Sequence, residues 1–459
     1  MLQIPSSSTL TQTARCMSAM MLLTLLTACG GSSGGTALAV LGTQPEAPAS
    51  TGVVPTAVGG VSETATPASS GSGGSSGTTG ANGTNGTTGS GGAASGMTDT
   101  APVVTPNTPP STSASTSTAG LSARFSFPVG IAIDGAGNLY VADRNNSTIR
   151  KITPAGVVST FAGAPQQAGS VDATGGTARF NLPSGVAVDR AGTVYVADTA
   201  NHTIRRIAAT GAVVTIAGQP MNNGSNDGAA SAARFNSPSA IAVDGAGNLY
   251  VADTLNYAVR KITPAGIVST LAGQAGEPGY VDAQGTQARF IKPEGITVDA
   301  GGNVFVTDTD FFPSCHLCTR TNSTVRKITP DGMVSTIAGT PLTIGSADGT
   351  GAAAAFAYPA GITVDGAGTM YVADTNNFTI RKVTPQGATS TLAGMAGMEG
   401  SVDGTGAAAR FAYPKGVAVD AAGNLYVTEA FTVRKISPQG VVSTFAGKAL
   451  TSGSDDSAP

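Results

Sequence analysis

Charge is scarce in this sequence. Of 459 residues only 11% are Asp, Glu, Lys or Arg, and the net charge is −3. No block of one sign occurs either. That removes the basic field on which nucleic-acid binding rests, so no nucleic-acid partner is expected. Histidine occurs twice, at His202 and His316, too few for a centre built from several histidines. The apolar stretch at residues 17–26 falls well short of the ~20 residues a membrane-crossing helix needs. There is no phosphate-binding loop and no nucleophile elbow on a strand-to-helix turn. Tryptophan is absent, so aromatic surface can come only from Phe and Tyr. What the chain has instead is 63 glycines and a long internal repetition.

The stretch at residues 130–163 (GIAIDGAGNLYVADRNNSTIRKITPAGVVSTFAG) recurs five more times. Aligned on the aspartate that ends its first apolar run, the copies fall at Asp134, Asp189, Asp244, Asp299, Asp365 and Asp420. The spacings are 55, 55, 55, 66 and 55 residues. Four short runs rich in β-branched residues (GIAID, NLYVAD, TIRKI and VVSTFA) are separated by Gly-, Pro- and Asn-rich turns. Runs of this kind read as strands, and turns this short permit only antiparallel hairpins. One unit is therefore a four-stranded meander. Its first, second and fourth runs are apolar almost throughout, which predicts cover on both faces. Neighbouring units must supply it, as a linear stack or as a ring of blades.

The links decide between the two. Nine residues after each Ala-Gly pair comes an aspartate: Asp172, Asp227, Asp282, Asp348, Asp403 and finally Asp456. Between units the chain then runs to an Ala-Arg-Phe-like triplet ending at Phe180, Phe235, Phe290, Phe356 and Phe411. The first unit starts at Phe125 with no aspartate before it. Head and tail are thus two halves of one link. The expectation is an all-β chain: a six-bladed β-propeller of four-stranded antiparallel blades, preceded by a signal peptide and a long disordered tether.

The pattern G-(I/V)-A-(I/V)-D-x-x-G-N-L-Y-V-A-D-x-x-N-x-x-I-R-K resembles the NHL repeat, over about residues 121–459. The resemblance implies a propeller; for activity it is open, because the family includes ligand-binding, protein-binding and enzymatic members. Amidating lyases similar to NHL proteins hold zinc through several channel histidines, which this chain does not have. Gluconolactonase-like propellers use Glu, Asn and Asp on inner strands, and here only Glu294 is placed for that. Virginiamycin-lyase-like propellers need a histidine near the channel, and neither His202 nor His316 falls there.

Ahead of the repeats, residues 1–28 read as a lipoprotein signal peptide, with Arg15, a short apolar core and Leu26-Thr27-Ala28 before Cys29. The polar stretch before Arg15 is long, and Met17 or Met20 lies nearer the core as a start. Cys29 would carry the lipid; an ordinary signal peptide with an incidental cysteine is the alternative. Gly30 after the cysteine favours the outer membrane or cell surface over the inner membrane in a bacterial envelope. Residues 29–120 are nearly all Gly, Ser, Thr, Ala and Pro, too polar to fold, and their Ser and Thr allow glycosylation. As a flexible coil they would reach roughly 50–55 Å.

Six-fold repetition supplies an internal test of role. Residues present in every blade solve a problem all blades share. Asp143, Asn146 and Arg150 recur, as do the link aspartates, and both sets read as scaffold: the first bracing a hairpin turn, the second forming turns and capping a short helical turn. The six phenylalanines read as wedges between blades. Single-copy residues on the irregular face are the candidates for recognition. After the link prolines come Val129, Ser184, Ser239, Glu294, Ala360 and Lys415, of which only Glu294 and Lys415 are charged. On the second-to-third turns His202, Tyr257 and Phe378 suggest an aromatic rim around a polar mouth. An insertion within 308–322 in the fourth unit carries Phe311, Phe312, Cys315, His316 and Cys318. Outside the cytoplasm a Cys315–Cys318 disulfide is expected, with a metal site or a redox pair as alternatives. The two phenylalanines make this loop a candidate partner contact.

The expected function is a lipid-anchored binding module that presents its irregular face to a protein or glycan. The alternative is a metal-dependent lyase or lactonase with Glu294 at the channel mouth. No cofactor is expected under the first reading; the second allows a divalent cation there. Oligomeric state and ligand identity are not encoded in any motif.

Overall fold

A computed structural model describes residues 119–310 and 322–457. The signal peptide, Cys29 and the tether lie outside the described residues, as do Phe311, Phe312, Cys315, His316 and Cys318. What is described is a ring of six antiparallel sheets. In blade 1, β1 (Pro128–Ile133), β2 (Leu139–Asp143), β3 (Thr148–Ile152) and β4 (Val158–Ala162) pair in chain order. Blades 2 to 6 repeat this over residues 185–218, 238–273, 293–338, 359–394 and 417–447. The strands lie where the β-branched runs predict them.

Two exposures differ from the sequence pattern. The fourth run reads apolar, yet in β4 Val158 and Ala162 are buried while Ser159 is exposed. It is the outer edge of a radial sheet, with one face toward water. The third run, TIRKI, reads polar, yet all of β3 except Lys151 is buried. Burial there is permitted by pairing of Arg150, described below.

The ring closes as expected. Phe125 forms a parallel bridge with Ser452, the Arg124 amide donates to the Asp455 carbonyl at 3.0 Å, and the Gly453 amide donates to Phe125 at 3.1 Å. The Ser457 amide then donates to Val158 at 3.0 Å, on the outer strand of blade 1. On the inner side the Thr428 hydroxyl donates to the Val129 carbonyl at 2.6 Å, joining blade 6 to blade 1. Links also cover outer edges elsewhere: Gly228–Ala229, Gly349–Thr350 and Gly404–Thr405 each pair with the outermost strand of the blade they lead into. Pairing of this kind withholds part of each outer edge from templating aggregation.

Between neighbouring blades the packing is apolar. One cluster joins Tyr140, Ala142 and Ile149 of blade 1 to Phe180, Val186 and Val194 of blade 2, and its equivalents recur around the ring. All six link phenylalanines are fully buried, as wedges should be. Above each ring lies a buried guanidinium, 5.0–5.4 Å from the centroid.

That guanidinium corrects the reading of the link aspartates. Arg205 binds Asp198 of its own hairpin at 2.7 Å and the link residue Asp172 at 2.6 Å. The same triad forms in every blade, through Arg150 with Asp143 and Asp456 and on to Arg434 with Glu429 and Asp403. The short 3-10 turn after Asp172 has no side-chain cap at all. The link aspartate is thus a charge partner for a strand, not a helix cap. Asn146 donates to Asp143 at 2.8 Å and the Ser126 amide to the same carboxylate at 2.8 Å, so the turn is braced as expected. In blade 6, Glu429 takes over: the Ala412 amide donates to it at 2.9 Å across a shorter turn.

Candidate functional site: the charged mouth of the channel

The six innermost strands run side by side down a central channel. Near its entry they touch so closely that a Cβ at Gly295 or Gly361 would strike the Ala360 or Lys415 carbonyl of the next blade. Just below, Ile131, Val186, Ile241, Ile296, Ile362 and Val417 form a buried aliphatic waist. These six side chains line the cavities on both sides of them, toward the entry and toward the exit.

The well on the irregular face is about 400 Å³. Glu294 and Lys415, which the sequence singles out, both line it, together with two charged residues that sequence reasoning passed over, Arg144 and Lys292. Arg144 opens the 3-10 turn after Asp143. Lys292 precedes Pro293. In the other five blades the residue before this proline or its neighbour, Phe127, Leu182, Ser237, Tyr358 and Tyr413, is held in the left-handed region at φ 49–55°. Lys292 is not. Its amide and that of Ile291 both donate to Asp308, at 2.9 Å each, which gives blade 4 a different entry loop.

The charges interact unequally. Lys292 Nζ binds Glu294 at 3.0 Å and donates to the Tyr358 hydroxyl at 3.3 Å. Lys415 Nζ lies over the Tyr358 ring, 4.5 Å from its centroid, and has no carboxylate partner among the described residues. Arg144 Nε donates to Ser184 Oγ at 3.3 Å. Burial pushes the Lys415 ammonium down to about 8; Glu294 opposes this, while Lys292 and Arg144 reinforce it. Burial also pulls on Lys292, but the Glu294 carboxylate more than offsets it and the net direction is up. Burial raises the Tyr358 hydroxyl, with Glu294 adding to the rise.

His202, Tyr257 and Phe378 occupy left-handed positions at the ends of their turns, at φ 56–58°. None of the three lines the well. His202 Nδ1 accepts from the Ser237 amide at 3.0 Å, and Phe378 packs edge-on against Tyr413 at 5.1 Å. His202 and Phe378 thus fasten neighbouring loops, and the aromatic residues in the well are Phe127 and Tyr358. Among the described residues no three His, Cys, Asp or Glu side chains converge as a metal site would require.

Residues 125–152, 180–207 and 356–383 match the NHL repeat, and residues 397–457 match the teneurin NHL domain. NHL repeat-containing protein 2 of Bos taurus is 27% identical over 339 residues, covering 66% of this chain. The chain spans 45% of that relative's length. A structure from Bacteroides thetaiotaomicron, a protein of unknown function, shares 24% identity with a TM-score of 0.49, covering 70% of this chain and 69% of that one. Virginiamycin B lyase from Staphylococcus aureus shares 15% identity with a TM-score of 0.44, over 70% of this chain and 84% of its own.

Proposed function

Starting from a chain that carries NHL repeats closed into a six-bladed β-propeller, we propose that it acts as a binding module for a protein or glycan, which meets the face bearing the charged mouth. One observation carries this reading: four charged side chains found once each, Arg144, Lys292, Glu294 and Lys415, converge on one well. The repeated charges serve the scaffold, in the triads and in the hairpin turns held by Asp134 and its equivalents; these four answer to something else. The metal-dependent lyase or lactonase reading is weaker on donor chemistry. Among the described residues Glu294 is the one carboxylate in the lining, and it is paired with Lys292, so a divalent cation there would lack its remaining ligands.

The sequence adds the setting. A lipid on Cys29 and a long polar tether would hold the propeller clear of a bacterial outer membrane or cell surface. Mass spectrometry of the N-terminal peptide from cells tests this, and an unmodified Cys29 there removes the anchor from the proposal. For the module itself, the full chain is applied to arrays of cell-surface glycans and peptides. Saturable binding to a restricted set, weakened in an Arg144→Ala/Lys415→Met double variant, is the expected result. Cation-dependent turnover of a lactone would shift the reading to the enzyme.

A further inference from the structure

We propose that the charged mouth receives one anionic group, a carboxylate or a phosphate, carried on a small hydroxyl-bearing ligand such as an acidic sugar. This rests on the binding-module reading and names the chemistry of what is bound. Lys292 is matched by Glu294, so within the well that pair is close to neutral. Arg144 and Lys415 are matched by no carboxylate among the described residues, which leaves two positive charges facing one cavity. Like charges held together in a partly buried space repel, and an entering anion relieves that repulsion. With Nε on Ser184, the two outer nitrogens of Arg144 are left for a forked contact to an oxyanion.

The rest of the lining argues for more than a bare ion. The hydroxyl of Thr199 donates to the Pro238 carbonyl at 2.8 Å and that of Ser239 to the Glu294 carbonyl at 2.7 Å. Thr254 donates to Ser239 at 2.6 Å or to the Pro293 carbonyl at 2.8 Å. Their protons are committed within the protein, so toward the well they offer oxygen lone pairs, which suit hydroxyl donors on a ligand. Below this polar lining the channel is walled by the aliphatic waist, whose side chains offer an anionic ligand no polar partner, so the ligand is held at the mouth.

Calorimetric titration of the full chain at neutral pH and low salt tests this with galacturonate, glucose 6-phosphate, inorganic phosphate and neutral galactose as probes. Binding of either acidic sugar, with galactose silent and phosphate weaker than glucose 6-phosphate, is expected; which acidic sugar binds tells carboxylate from phosphate. Arg144→Ala and Lys415→Met should each weaken it by about tenfold or more, with the melting transition retained. Equal binding of galactose and galacturonate overturns the proposal, as does undiminished binding in the double variant. Silence from every acidic probe also overturns it. If array binding then persists in the double variant, only the anion site has failed; if array binding is absent as well, the binding-module reading fails with it.

Discussion

The two ends of the channel are made from the same six strands, yet they are chemically unlike. Where the strands enter, the side chains are Val129, Ser184, Ser239, Glu294, Ala360 and Lys415; where they leave, they are Ile133, Val188, Val243, Val298, Val364 and Val419. At the exit every blade gives the same answer, a β-branched aliphatic residue, because each faces the same packing problem. At the entry the six answers differ, although the backbone asks the same question. Packing does not explain that divergence, and four charges accompany it. Within one repetitive chain, disagreement between copies locates what the scaffold does not need.

The comparison can be broken or sharpened by experiment. The largest effect belongs to the repeated triads, which serve both ends alike. Arg260→Ala strands Asp253 and Asp227 and should cost about 3–5 kcal/mol in denaturant unfolding. A cost below about 1 kcal/mol would mean the triads are ornament. Next comes ligand binding against pH. The Lys415 charge is present below about 8 and lost above it, so affinity for an acidic sugar should fall as pH rises through that value. Arg144, Lys292, Glu294 and Tyr358 face the same ammonium, and Lys292 and Tyr358 are both shifted upward, away from this window. Lys415→Arg should bind with a flat profile across this window, and a wild-type profile that is equally flat would place the titrating charge elsewhere.

Smaller and opposite in sign is the effect on stability. Because the Lys415 value is depressed in the folded state, its charge opposes folding at neutral pH. Lys415→Met should therefore melt slightly higher, by about 0.5–1 kcal/mol, while it loses ligand. The smallest effect is expected at the uniform end. Val243→Thr keeps the branched shape and should leave acidic-sugar affinity unchanged within the error of titration, since Val243 lines the exit cavity and not the charged well. A change there would show that the ends communicate.

The blades and their closure were legible because they repeat: hairpin turns and strand composition are local signals, and six copies average out the noise. The link aspartates were not read correctly, since Asp172 and its partner Arg205 are 33 residues apart and no local pattern ties them. Half of the mouth was legible. Arg144 and Lys292 carried a signal that was there to be used, because the residues after the repeated acid are Arg144, Thr199, Thr254, Thr309, Thr375 and Ala430. Before the link prolines stand Phe127, Leu182, Ser237, Lys292, Tyr358 and Tyr413. Each set contains one cation. What no sequence pattern reveals is the altered backbone at Lys292, or that His202 and Phe378 turn toward neighbouring loops.

The closing of the ring has a consequence for synthesis. Blade 1 is the first to be made, yet its outer strand and Arg150 are completed by residues 452–457, which follow every other part of the ring. A nascent chain leaving the ribosome thus carries an exposed strand margin and an arginine short of one acidic neighbour until the sixth blade has emerged. Vectorial folding can assemble blades in order, but the circle locks in a single late step. Loss of residues 452–457 would be felt in blade 1, where the ring begins.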